Sequence, residues 1–138
     1  MITGALHWWQ WLFHRSGSGP TVDCPGARDE LLRRARCAIR DGELELAEAL
    51  VMEYGEPALR DAACLNALGL ICEARGRWGD ARRFWSRALR ADPRFEPPRT
   101  NLRRYFELFQ WGRTDCPVAF GDETALDLLL ARRIHREC

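Results

Sequence analysis

Two cysteines in a repeated Asp-Cys-Pro motif have the clearest potential for chemistry in this chain. Asp23-Cys24-Pro25 and Asp115-Cys116-Pro117 lie on either side of the central part of the sequence. Both motifs are expected in loops, where the thiols would be accessible and could form a redox pair or contact a haem. The alternative is a turn that precedes a helix, because aspartate and proline both favour that position.

The remaining polar residues do not form a recognisable catalytic or metal-binding pattern. The histidines are His7, His14 and His135, all away from the centre of the chain. Cys64 and Cys72 are eight residues apart with no histidine nearby, which is a poor spacing for a zinc site. The sequence has no glycine-rich phosphate loop, nucleophile elbow or His-Glu zinc motif. We therefore expect no cofactor, no metal and no catalytic residue, and keep a redox sensor based on the two Asp-Cys-Pro cysteines as the enzyme-like alternative.

Composition and charge are those of an ordinary globular protein. Hydrophobic residues make up 46% of the chain, charged residues 30%, and the net charge is +1. No global field would attract nucleic acid, so we expect no nucleic-acid partner. Six cysteines in a chain of this length and helical pattern, with no evident secretory signal, indicate free thiols in a reducing cytoplasm. All 21 basic residues are arginine, which suggests a GC-rich and hence bacterial genome.

A cluster of aromatic residues near the N-terminus is a second candidate for function. It contains Trp8, Trp9, Trp11, Leu12 and Phe13. The cluster is shorter than the roughly 20 apolar residues that a membrane span needs. Tryptophan favours membrane–water interfaces. Because only Arg15 supplies positive charge nearby, docking on protein is favoured over peripheral attachment at the inner face of a membrane.

The elements that must position these residues are helices. We expect an aromatic segment at 1–15, a flexible Ser-Gly linker at 16–25 and a helical domain at 26–138. Within that domain apolar residues recur at helical spacing in successive stretches, separated by Asp41-Gly42, Arg75-Gly76, Asp92-Pro93 and a loop from Gly112 to Gly121. Asp122 is expected to cap a last helix. No segment alternates like a strand, so the domain is predicted to be all-α.

The helices recur in pairs with a constant period. Gly42 and Gly76 are 34 residues apart, and so are Ala47 with Ala81 and Val51 with Trp85. A helix–turn–helix period of about 34 residues is the signature of tetratricopeptide repeats. Residues 62–95 resemble one full repeat of that family, on these positions: Leu65, Leu68-Gly69, Cys72, Gly76, Trp78, Ala81, Trp85, Ala88 and Pro93.

The flanking stretches resemble less regular units of the same family. Residues 28–61 have Arg34 where a large apolar residue is expected, Tyr54 where a small one is, and Pro57 two residues early. Residues 96–111 resemble the first helix of a third unit, with Arg103 in the small-residue position. About three units are normally needed to bury the apolar faces. The predicted fold is therefore a short stack of antiparallel helix pairs, with a C-terminal capping helix and a short N-terminal aromatic helix.

The resemblance implies a protein-interaction module, such as an adaptor, scaffold or assembly factor, rather than an enzyme. Its concave groove would hold a peptide or helix of an unidentified partner. By the family's pattern the groove would be lined by Leu32, Arg36, Ile39, Arg40, Ala63, Asn66, Leu70, Glu73, Ala74, Thr100, Arg104, Glu107 and Leu108. This mixture suits an amphipathic peptide with some acidic character. The alternative is that several of these residues contact the terminal helices of the chain itself.

Overall fold

The computed structural model describes residues 26–123, and every regular element within that range is helical. The helices are α1 (Ala27–Arg40), α2 (Leu44–Glu53), α3 (Ala62–Ala74), α4 (Trp78–Ala91) and α5 (Pro97–Trp111), with a 3-10 turn at Glu56–Arg60. The predicted all-α fold is confirmed. The N-terminal aromatic cluster, the linker, Cys24 and all but the first two residues of the predicted C-terminal helix lie outside the described residues.

The two helix pairs are joined by turns with the same backbone structure. After α1, the N–H of Glu43 donates to the carbonyl of Ala38 at 2.8 Å, and Gly42 has a positive φ of 77°. After α3, the N–H of Arg77 donates to the carbonyl of Cys72 at 2.8 Å, and Gly76 also has a φ of 77°. This hydrogen-bond pattern ends a helix and requires one residue in the left-handed conformation. Glycine adopts that conformation without steric cost. The spacing of the glycines therefore sets the spacing of the helix pairs.

Helix α3 lies at the centre of the molecule. It packs against α1, α2 and α4, and α5 packs in turn against α4. Because neighbours surround it, the whole stretch of residues 63–72 is buried. A single hydrophobic core extends from Leu31 in α1 to Ala88 in α4.

The irregular residues of the outer units lie where the stack is open. Arg34 is exposed, whereas Leu68, in the same position of the next unit, is only 2% exposed. Within residues 26–123 no helix precedes α1 to cover this position. Arg103 is likewise exposed and pairs with Glu107 at 2.9 Å. Outer units of a repeat stack need a polar face, so these arginines fit their places.

The link between the two pairs is adjusted around Tyr54 and Pro57. Helix α2 has 10 residues, whereas its counterpart α4 has 14. Tyr54 follows the last residue of α2 and packs partly buried against the core, where α4 continues through the small residue Ala88. Pro57 stands in the first turn of the 3-10 helix that replaces the missing part of α2. The shortening of α2 thus accounts both for the proline that comes two residues early and for the tyrosine in the position of a small residue.

Candidate functional site

The chain turns back after α5 and crosses the surface formed by α1, α3 and α5, here called the first-helix face. Helix α5 ends at Gly112, whose φ of 68° allows the reversal. Residues 113–123, here called the return segment, contain no regular secondary structure. They contact α5 first, then α3, and finally α1. The loop predicted from Gly112 to Gly121 is therefore present, and most of the hydrogen bonds described below hold it in place.

Two buried asparagines hold the backbone of one residue of the return segment, Ala119. The N–H of Ala119 donates to Oδ1 of Asn101 at 2.9 Å, and its carbonyl accepts from Nδ2 of Asn101 at 2.8 Å. The same carbonyl accepts from Nδ2 of Asn66 at 3.0 Å. Asn101 also donates to Oδ1 of Asn66 at 2.9 Å, and both side chains are fully buried. Here this asparagine pair, one residue on α3 and one on α5, is called the clamp.

The next residue, Phe120, is held by two arginines of α1. Nε of Arg36 donates to the Phe120 carbonyl at 3.2 Å, and Asn66 donates to it at 3.3 Å. The guanidinium of Arg40 lies 4.0 Å from the centre of the Phe120 ring. A cation over an aromatic face is attracted by the ring's quadrupole. Phe120 is thus fixed through both its backbone and its side chain.

A charged contact ends the crossing. The carboxylate of Asp122 accepts two hydrogen bonds from Arg40, at 2.6 Å and 2.9 Å. Arg40 holds the pKa of Asp122 below its usual range through these bonds. The Glu123 side chain accepts from the N–H groups of Phe120 and Gly121, which closes a tight turn. The described chain therefore ends beside α1.

The beginning of the return segment is tied to α5. Thr114 donates to Glu107 at 2.5 Å, and the thiol of Cys116 lies 3.5 Å from the same carboxylate. The hydroxyl of Thr114, helped by Arg103, holds the pKa of Glu107 below its usual range. Burial, together with the nearby Glu107, raises the pKa of the Cys116 thiol. A raised pKa disfavours the reactive thiolate, which gives the redox alternative no support at Cys116; a pairing with Cys24 stays a prediction.

A buried ion pair connects α3 and α5 on this face. Arg104 is only 6% exposed, and its guanidinium donates twice to the carboxylate of Glu73. Two parallel hydrogen bonds fix the relative orientation of the two helices as well as neutralising both charges. Because the clamp also joins α3 to α5, the pair keeps the asparagines at hydrogen-bonding distance.

The predicted groove residues all lie on the first-helix face, apart from those whose side chains form the core. Arg36, Arg40, Asn66 and Glu107 contact the return segment. Glu73 and Arg104 contact each other. Leu32, Ala63 and Leu70 are buried, Ile39, Thr100 and Leu108 are half-buried, and Ala74 is exposed. Four of the predicted groove residues thus contact the return segment, whereas the alternative, contact with the terminal helices, concerns residues outside the described range and stays a prediction. Binding of a partner by these residues stays a prediction.

One central residue of the site, Asn101, was missed by the sequence analysis. The 34-residue period places Thr100 opposite Asn66, whereas the structure pairs Asn66 with the residue 35 positions later. Helices α3 and α5 also begin 35 residues apart, at Ala62 and Pro97. An asparagine in the middle of a helix, where its propensity is poor, is the signal that could have identified it.

The outer side of α5 carries a second, very different surface. Phe106, Phe109 and Trp111 are 53%, 83% and 63% exposed. Tyr105 lies between them and α4, with its ring centre 6.2 Å from that of Phe109 and 6.1 Å from that of Trp78. Among residues 26–123, no second helix follows α5 to cover these rings. The predicted C-terminal capping helix would begin beside α1, where Asp122 is held, and remains a prediction.

Two further functions can be examined only for the described part of the chain. Between residues 26 and 123, no cluster of His, Cys, Asp or Glu could hold a metal ion. No helix in the same range is long and apolar enough to cross a membrane. Membrane attachment through Trp8, Trp9 and Trp11 lies outside the described residues and stays a prediction.

Comparison with known proteins supports the repeat. A family model described as tetratricopeptide repeat matches residues 62–95, which comprise α3, α4 and the turn between them. Neither a curated protein nor a solved structure matches the chain. Repeats of this kind generally act as protein-interaction modules. Residues 62–95 thus match a tetratricopeptide repeat, which supports the resemblance identified in the sequence.

Proposed function

We propose that this protein is an interaction module whose first-helix face binds an extended segment of a partner protein in place of its own return segment. The observation that carries the proposal is the clamp. Asn66 and Asn101 bind both the N–H and the carbonyl of Ala119. Every polypeptide offers these two backbone groups, so the clamp is suited to any extended chain that fits the surface.

The burial of the clamp supports this function. A buried amide that loses its partner leaves polar groups unsatisfied, which costs about 1–3 kcal/mol for each group. Asn66 and Asn101 therefore need a residue at this position whose backbone N–H and carbonyl can both form hydrogen bonds. The return segment supplies one from within the chain, and a partner segment would have to supply the same hydrogen bonds to replace it.

The return segment is suited to such an exchange. It has no regular secondary structure, and its Val118 side chain is 39% exposed. Segments held by few buried apolar contacts open at lower free energy than the helices around them. In this function the protein acts as an adaptor, scaffold or assembly factor, and the partner gains access when the return segment leaves.

Selection from a library of random peptides tests this proposal. The bait is the full chain with Phe120→Ser and Asp122→Asn, which removes the ring contact and the ion pair that the return segment makes with Arg40 and leaves the helices unchanged. Selected peptides should bind this bait and should lose at least tenfold in affinity when Asn101→Ala is added. The matched control is Arg34→Ala, an exposed residue outside the site. Peptides whose binding is indifferent to Asn101→Ala, or no selected peptides at all, would contradict the proposal.

A further inference from the structure

We infer that the partner segment carries a small residue, an aromatic residue, glycine and an acid in succession, and that Ala119-Phe120-Gly121-Asp122 is the chain's own copy of this pattern. The inference rests on the proposed function, because it assumes that the first-helix face accepts a segment from another protein. Each of the four positions is selected by a different physical contact.

The first position requires a small side chain. Ala119 is 7% exposed, and its backbone is bonded on both sides by Asn66 and Asn101. The clamp brings the peptide close to α3 and α5, and the methyl group of Ala119 is already enclosed. A larger side chain would separate the peptide from the clamp. The clamp therefore reads the backbone and at the same time limits the size of the residue.

The second position favours an aromatic ring. Phe120 packs against the edge of the hydrophobic core, with Arg40 on its face at 4.0 Å. An aliphatic side chain would fill part of this space but would offer no quadrupole to the guanidinium. The preference for an aromatic residue thus comes from Arg40.

The third position admits only glycine. Gly121 has a φ of 97°, which side-chain-bearing residues rarely adopt. A Cβ at this position would lie 2.9 Å from Cζ of Phe95, 3.2 Å from Nη2 of Arg36 and 3.4 Å from Cγ of Pro97. Both the backbone conformation and the available space therefore exclude a side chain.

The fourth position selects an acid. Asp122 accepts two hydrogen bonds from Arg40, the same guanidinium that covers Phe120. Arg36 adds a second positive charge near this carboxylate, while Glu123 adds a negative one near Arg40. One arginine thus recognises the aromatic ring and the carboxylate, and the glycine between them lets the chain turn so that both reach it.

The chain's own copy must weaken binding of any partner copy. Seven residues separate the last residue of α5, Trp111, from Ala119. A segment on so short a tether competes at an effective concentration in the millimolar range. Loosening the return segment should therefore reveal binding that the wild-type chain conceals.

The test uses a fluorescein-labelled peptide of residues 116–123, with serine in place of cysteine, and fluorescence anisotropy. The receptors are the full wild-type chain and its Gly121→Val variant, which should expel the return segment. We expect the variant to bind the peptide at least tenfold more tightly than the wild type. Peptides with valine in place of glycine, or asparagine in place of aspartate, should bind the variant at least tenfold more weakly. Gly79→Ala, a helical glycine with no atom within 4 Å of the added Cβ, is the matched control and should behave as the wild type.

The possible failures separate the two proposals. Equal binding of all three peptides to the variant would overturn the sequence pattern and leave peptide binding by this face intact. Failure of every peptide to bind would overturn both. Equal affinity of the wild type and the variant would show that the return segment does not compete, which also overturns the inference. If Gly121→Val loses its helical circular dichroism, Phe120→Ser with Asp122→Asn replaces it as the receptor, with the same expected outcomes.

Discussion

The helix pairs α1–α2 and α3–α4 have the same turn but differ in the side chains that pack between the two helices. In the second pair, Gly69 and Trp85 are in direct contact: a Cβ added to Gly69 would lie 2.7 Å from Cδ1 and 2.9 Å from Cε2 of the indole. In the first pair the equivalent positions hold Ala35 and Val51, both buried. Where one helix carries no side chain, the other carries the largest one. The comparison shows that close packing at this position depends on the sum of the two side chains rather than on either alone.

The largest expected difference between the pairs concerns Trp85 and Val51. Trp85→Ala should reduce the free energy of unfolding by about 3–5 kcal/mol, because a large cavity would remain in front of Gly69. Val51→Ala removes far less volume and should cost roughly 1.5–3 kcal/mol. Urea unfolding followed by circular dichroism measures both. Equal costs would mean that the two helix pairs are packed alike, contrary to the comparison.

A more specific test replaces the glycine itself. Gly69→Ala should destabilise the protein by about 1–3 kcal/mol, because its methyl group has no space beside Trp85. Gly79→Ala, in the open part of α4, should instead stabilise it by up to about 1 kcal/mol, the usual gain in a helix. The urea midpoint should therefore shift down for Gly69→Ala and up for Gly79→Ala. A stabilising Gly69→Ala would show that Trp85 can move aside at little cost.

The two pairs also differ in how their first helices begin. Asp61 caps α3 by accepting from the N–H groups of Ala63 and Cys64, at 3.0 Å and 3.1 Å, whereas Gly26 gives α1 no side-chain cap. Asp61→Ala should cost about 1–2 kcal/mol. Asp61→Asn should cost less, because asparagine also caps helices and only the ion pair with Arg28 is lost. Thermal unfolding shows which of the two variants is less stable. An equal loss of stability in both variants would assign the effect to the ion pair.

The same aspartate makes stability depend on pH. Burial opposes ionisation of Asp61, but hydrogen bonds from Arg28 and from the N–H of Cys64 outweigh it and hold its pKa below the ordinary 3.8. A folded-state pKa below the unfolded one stabilises the protein fully above the unfolded value, and this contribution is lost as the pH falls through the folded value. The urea midpoint should therefore decrease between about pH 5 and about pH 3. The urea midpoint of the Asp61→Asn variant should decrease less over the same pH range. An identical decrease in the variant and the wild type would assign the effect to other carboxylates, such as Asp122.

The smallest expected effect is at Arg34, the exposed counterpart of the buried Leu68. Arg34→Ala should change the free energy of unfolding by less than about 0.5 kcal/mol, as is usual for surface positions. Differential scanning calorimetry of the full chain measures it. A loss above about 1 kcal/mol would show that a part of the chain outside residues 26–123 covers this face of α1.

The fold of α1 to α5 could be predicted because its signals are local. A turn such as Asp41-Gly42 is closed by hydrogen bonds between residues at most five positions apart. Gly69 and Trp85 were also among the positions on which residues 62–95 resemble one repeat, although their contact with each other was found only in the structure. The exposure of Arg34 and Arg103 could not be predicted in this way, because a repeat pattern does not show which unit lies at the end of the stack.

The candidate site could be predicted only in part. The sequence analysis placed Arg36, Arg40 and Asn66 on one face, because helical spacing decides which residues share a face. It missed Asn101, because the unit containing α5 is offset by one residue from the period. It also did not predict that the return segment would lie across this face.

The sequence alone therefore determined the helices, their pairing and part of the first-helix face, because capping, turn and packing signals act over short distances or at a constant period. Only the tertiary structure decided what those residues contact. Asn66 meets Ala119 across 53 residues of chain and Arg36 meets Phe120 across 84. Contacts of such separation follow no period, since they arise where the folded helices leave buried hydrogen-bonding groups unsatisfied and the chain that follows can reach them.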